Sequence, residues 1–224
     1  MYSFPFIKLQ IIKKFLIFGK KMKYFLHEND LPDSVKIENS VAIDTETTGL
    51  NLIRDRLCLI QICSGNEEVH LVQIKSNNSS APNIVKILND KKILKIFHFG
   101  RFDIAVLLKH FGCNIFPVYC TKIASKISRT STDQHSLKHL VKEFISVEIP
   151  KFEQTSDWGS KKLTESQLKY AANDVLYLHK IKIGLDAILI RENRINIAKN
   201  FFEFLPQLAS LDLEGWDTNQ ILSH

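Results

Sequence analysis

Asp44 and Glu46 stand two apart at the end of an apolar run, Val41-Ala42-Ile43, shortly before a turn signal at Gly49. In a strand, residues two apart share a face and sit about 6.5–7 Å apart along the chain. Both acids therefore point the same way where a buried strand should end. Like charges so placed repel and raise each other's pKa. A divalent cation removes that conflict, since hard cations such as Mg2+ prefer carboxylate oxygens. Asp-x-Glu at a solvated strand end is also common, so a metal site requires partners elsewhere in the chain.

Two later stretches offer them. Asp103, in Phe97-His98-Phe99-Gly100-Arg101-Phe102-Asp103, follows a buried strand and falls in the first turn of a helix. There it is either a ligand or an acid that complements the helix dipole. Tyr170 and Asp174 are four apart on one helix face, beside an apolar stripe of Leu168, Ala171, Ala172, Val175 and Leu178. Taken alone, that pair reads equally as one hydrogen-bonded core tyrosine.

The elements that must position these side chains follow from periodicity. A strand at about 40–46 leads to Leu57–Cys63 and Val69–Ile74, which Ser64-Gly65-Asn66 separates as a hairpin turn. Pro82 opens a short helix carrying Ile84, Val85, Ile87 and Leu88. Ile93–Phe97 is a further strand, Phe102–Phe111 has helical spacing, and Ile115–Tyr119 is the expected fifth strand. Helices are expected at about 120–127 and 136–145. After a polar stretch from Pro150 to Lys162, a long helix starts at Thr164, where Gln167 completes a capping box. A final helix at about 192–205 should stop before Pro206. The pattern implies an α/β fold with a mixed five-stranded sheet, three antiparallel strands and then parallel ones, flanked by helices. Sites in such sheets gather at strand ends, where Asp44 and Glu46 lie.

Composition is that of an ordinary globular domain of 224 residues, 45% hydrophobic and 24% charged. The net charge of +6 invites a nucleic-acid partner, yet it is local. Lys8, Lys13, Lys14, Lys20, Lys21 and Lys23 precede residue 27 with no acid among them, and the remaining basic side chains balance the 24 acidic ones. Residues 1–21 form a basic, apolar extension, either a surface helix for anionic lipid or a segment ahead of the true start at Met22, which is the preferred reading. Cys58, Cys63, Cys113 and Cys120 include no Cys-x-x-Cys pair and read as reduced thiols of a cytoplasmic protein. No apolar run near the N-terminus approaches the ~20 residues of a membrane span. A Gly-rich phosphate loop is absent, so no ATP-driven step is expected.

Asp44, Glu46, Asp103 and Asp174, with Tyr170 four before the last, resemble the four-acid signature of the DnaQ-like 3'-5' exonucleases in their tyrosine variant. The histidine of the other variant would fall at Lys169. In detail, Asp44-Thr45-Glu46-Thr47-Thr48-Gly49-Leu50 is similar to ribonuclease D. So is Ser156-Asp157-Trp158 with Leu163-Thr164, Gln167 and Tyr170-Ala171-Ala172-x-Asp174-Val175. The resemblance spans about residues 24–210 and implies an RNase H-like fold. It also implies two divalent ions, Mg2+ or Mn2+, held by the four acids, with Tyr170 orienting the attacking water. Its implied substrates are RNA 3' ends such as tRNA precursors, with DNA as the alternative, and a catalytically idle RNA-binding protein is the further contrast. The exonuclease domain is expected over 22–210, with a tail at 211–224 too short for the helical HRDC repeats that follow the catalytic domain of ribonuclease D.

Thr47, His98, Lys151 and Trp158 are candidate substrate contacts. His98 reads equally as a hydrogen-bonded strand-end residue, and Trp158 as an anchor of its loop rather than a base-stacking ring. Lys151, with Lys161 and Lys162, is placed either to approach phosphates or simply to be solvated. His135 and His139, four apart, read as a surface or core pair rather than a zinc site, because no nearby Cys or acid completes one.

Overall fold

Strand β3 (Leu57–Cys63) is buried at every position, which requires cover on both faces of the sheet. The computed structural model describes residues 23–149 and 156–223 and supplies that cover. The extension at 1–21, the start at Met22 and Lys151 lie outside the described residues.

Among the described residues six strands form one sheet. They are β1 (Lys23–Glu28), β2 (Ser40–Thr47), β3, β4 (Glu68–Gln73), β5 (Leu94–Phe97) and β6 (Val118–Cys120), in the order β1-β4-β3-β2-β5-β6. β2, β3 and β4 are antiparallel neighbours, and β5 and β6 join parallel to β2, as expected. The count is the correction. β1 adds a sixth strand, parallel to β4 with Lys23 opposite Glu68 and Glu28 opposite Gln73. The sequence over 22–27 reads as strand-like, but its residues are mostly exposed, and too weak an apolar pattern leaves it out of the five-stranded count. Lys23 pairs with Glu68 at 2.5 Å, and such charges on an edge discourage pairing with another chain.

β2 is the junction between the antiparallel and parallel halves, so its C-terminal end is where a site is expected in this class of fold. Helices α1 (Pro82–Asn89), α2 (Arg101–Phe111), α3 (Thr121–Ser128) and α4 (Leu137–Ile145) match the expected positions closely. Gly112, at φ 60, takes the left-handed conformation that ends α2, and its N–H reaches the Leu108 carbonyl.

Two helix expectations fail. The long helix after Thr164 divides into α5 (Glu165–Leu176) and α6 (Leu178–Arg191) at Tyr177. The division lets Ala171, Ala172 and Val175 of α5 face β2, β3 and β4 while α6 turns to pack on α3 and α4. Helix α7 (Ile195–Leu213) runs through Pro206 instead of stopping before it. Buried Phe202, Leu205 and Ala209 hold one continuous face on both sides of the proline, and α7 packs on α2 and β6. Packing there outweighs the lost N–H. The stretch beyond 210 is therefore partly helical. Arg101 reaches it with a bidentate pair to Asp212, Nε to Oδ2 at 2.6 Å, and Arg101 also donates to Thr218 in α8 (Thr218–Leu222).

All four cysteines are free and buried. Among the described residues no helix is long and apolar enough to cross a membrane.

Candidate active site

β2 carries Asp44 and Glu46 on one face, and a register shift between Glu46 and Thr47 marks where the strand leaves the ladder. Helix α5 lies over that face and brings Asp174 to them. Carboxylate oxygens of Asp44, Glu46 and Asp174 all fall within 4.8 Å of one another. Tyr170 sits one turn earlier on α5.

Asp103 comes from α2. Strand alternation turns Thr45 away from Asp44 and Glu46, and Thr45 Oγ1 donates to Asp103 Oδ1 at 2.6 Å. Asp103 is the third residue of α2 and is buried. Its surroundings conflict: burial pushes its carboxyl up to about 6, while the Thr45 hydroxyl and backbone N–H groups pull it down. Burial wins.

The other three acids are raised further. Asp44 lies well above the ordinary carboxylate range, first through burial and then through Asp103, Asp174 and Glu46. Burial pushes Glu46 up to about 9, and Asp174 and Asp103 add to the shift. Asp174 rises to about 8 through burial and Asp103. Tyr170 is raised as well, mostly by burial and then by Asp174, Glu46 and Asp44, so its hydroxyl stays neutral and can donate. Four clustered, desolvated carboxyls with no cationic side chain of the described residues among them suit a hard divalent cation, whose charge lowers each of these pKa values.

α5 is aimed by its N-terminus. Thr164 and Gln167 form the expected capping box, Thr164 Oγ1 accepting from Gln167 N and Gln167 Oε1 from Thr164 N. Gln167 Nε2 also donates to Ser156 Oγ at 3.0 Å and the Asp157 carbonyl at 3.1 Å. From the sheet, Gln73 Nε2 donates to the Ser160 carbonyl, and Arg56 reaches that of Gly159. The loop before α5 is thus tied both to its own helix and to β4.

The candidate substrate contacts divide. Thr47 Oγ1 donates to the Gly49 carbonyl at 2.5 Å, within the turn that follows the acids. His98 Nδ1 meets Thr121 Oγ1 at 2.9 Å, and that hydroxyl donates to the Phe97 carbonyl, so His98 bridges the ends of β5 and β6. Trp158 is only 3% exposed, and its ring centre is 6.2 Å from that of Tyr170. It anchors the loop beside the tyrosine. His135 precedes α4 and pairs with Ser125, while His139 pairs with Ser136, so the two do not converge.

A family model described as 3'-5' exonuclease matches residues 27–190. The chain belongs to the 3'-5' exonuclease family. It stands in the ribonuclease D-like part of that family: it is 33% identical over 138 residues to ribonuclease D of Zymomonas mobilis, covering 62% of this chain and 35% of that one. DNA polymerase I of Aquifex aeolicus is 36% identical over 165 residues, 71% of this chain and 26% of the polymerase. The chain thus spans about a third or less of these two curated relatives. Among solved structures, Brucella melitensis NrnC is 50% identical with a TM-score of 0.87, covering 91% of this chain and all of that one. The same protein is known with bound Mg2+ and bound to pGG.

Asp44, Glu46 and Asp174, on β2 and α5, are brought together, and Asp103 is hydrogen-bonded to Thr45 of β2. Sequence reasoning missed Thr45, because alternation points it away from the acids it separates. It also missed Gln73 and Arg56, whose loop partners are 87 and 103 residues distant.

Proposed function

We propose that this chain is a divalent-metal-dependent 3'-5' exoribonuclease that releases nucleoside 5'-monophosphates from RNA 3' ends. The convergence of Asp44, Glu46 and Asp174 within 4.8 Å carries this reading. With Asp103 they would hold two divalent ions. Bound there, Mg2+ or Mn2+ supplies charge to the phosphate and acidifies the attacking water. The residues of the chain do the rest. The neutral Tyr170 hydroxyl, one turn from Asp174, holds the water in line with the terminal phosphodiester. Water attacks phosphorus, the P–O3' bond breaks, and the shortened RNA leaves with a 3'-hydroxyl.

RNA is favoured over DNA by the ribonuclease D relatives and by pGG bound in NrnC. That ligand also favours short 3' fragments beside tails such as those of tRNA precursors. The DNA polymerase I relative supports DNA as a second reading. Incubation with 3'-tailed RNA, a short RNA fragment and matched DNA, with each ion or with chelator, separates these cases by product length. Metal-dependent stepwise shortening of RNA from the 3' end is the expected result, whereas endonucleolytic fragments or no product would overturn it.

A further inference from the structure

β3 is buried from end to end, and Gln61 is its one polar side chain apart from the thiols. Gln61 is 0% exposed, and neither its Nε2 nor its Oε1 has a hydrogen-bond partner. A buried amide without partners destabilises a fold, and an aliphatic residue would remove that cost.

Its register is informative. Gln61 stands directly opposite Asp44 in the antiparallel ladder. Opposed residues share a face, with Cβ atoms about 4.5–5.5 Å apart. That face is the one α5 covers, since Asp174 meets Asp44 there and α5 packs on both β2 and β3. The next residue of β3 on the same face, opposite Glu46, is apolar Leu59. Among the described residues no hydrogen-bond donor reaches the Asp44 carboxylate. An amide with two N–H groups and no partner lies beside a carboxylate with no donor.

We propose that Gln61 is a positioning residue for Asp44: one amide N–H holds the carboxylate through one water, so that its other oxygen faces the cation site. Carboxylates that bind metals are in turn hydrogen-bonded, and those outer partners set metal affinity. The inference rests on the metal-dependent reading above.

Gln61→Met preserves the length and volume of the side chain and removes both donors. Mg2+ titration of the full chain by calorimetry should show Kd raised about tenfold or more. The melting temperature in chelator should be unchanged or higher, because the orphaned amide is gone. Cleavage should recover towards wild-type kcat as Mg2+ is increased. Wild-type Mg2+ affinity in a folded Gln61→Met chain would overturn the proposal. If that variant does not fold, the side-chain amide resonances of Gln61 in the wild-type chain provide the test: they should move with Mg2+, and their standing still would overturn it. A wild-type chain that takes up no Mg2+ would instead remove the metal-dependent reading itself.

Discussion

Thr45 Oγ1 donates to Asp103 Oδ1 at 2.6 Å and so fastens the strand that carries Asp44 and Glu46 to the helix that carries the third acid. One residue thereby links two elements of the site: its neighbours in β2 supply two carboxylates, and its hydroxyl steadies a third on α2. Thr45→Val keeps the shape and removes the donor. Expected is a loss of about 1–3 kcal/mol in stability and about a tenfold or greater fall in metal affinity or rate. Chemical denaturation and a Mg2+ dependence of cleavage measure the two.

Asp44→Asn removes a ligand at nearly constant volume, and with it one of several mutually repelling charges. Cleavage should become undetectable. In chelator the variant should melt no lower than wild type, because the acids that raise Asp44 are relieved of it in turn. A cleavage assay with thermal melts decides, and retained activity would refute the role.

Tyr170→Phe deletes only the hydroxyl. Turnover should fall about a hundredfold, by the scale of positioned proton and water interactions, while binding of RNA to a cleavage-dead background stays within about twofold. Fluorescence anisotropy with labelled RNA separates this from a general binding defect.

The acid cluster also predicts a pH dependence of stability. Glu46, Asp174 and Asp103 have folded-state pKa values raised to about 9, about 8 and about 6. The folded chain therefore holds protons that the unfolded chain has released. Their contribution is fully present below the ordinary carboxylate range and is lost as pH rises towards about 9. In chelator, the melting temperature should fall across that window. Mg2+ should stabilise most at the alkaline end, and Asp44→Asn should flatten the curve. Melting scans across pH with and without Mg2+ read this directly.

Gln167→Ala removes half of the capping box together with the bonds to Ser156 and Asp157. A loss of about 2 kcal/mol is expected, about 4–8 °C in melting temperature for a chain of this size. The loss of activity should exceed the unfolded fraction, because α5 carries Tyr170 and Asp174.

Where short-range rules operate, the primary structure was sufficient. The alternation of β2, the Thr164–Gln167 cap and the four-residue step from Tyr170 to Asp174 depend on neighbours in the chain, and all are observed. The acid types, too, suggested a metal-binding chemistry before any fold was known. Packing decided the remainder. Gln61 looks like a blemish in an apolar run until the ladder sets it opposite Asp44. The strand-like pattern of β1 does not say where it belongs, and its place in the sheet is fixed only by the edge that β4 presents to it. Pro206 should end a helix by local preference, yet the buried faces of Phe202, Leu205 and Ala209 carry α7 past it. Thr45 and Asp103 are 58 residues apart, and no local period links them. Contacts at such separations form only when the whole sheet closes, so register and burial decide them, and neither is written in any single stretch of the chain.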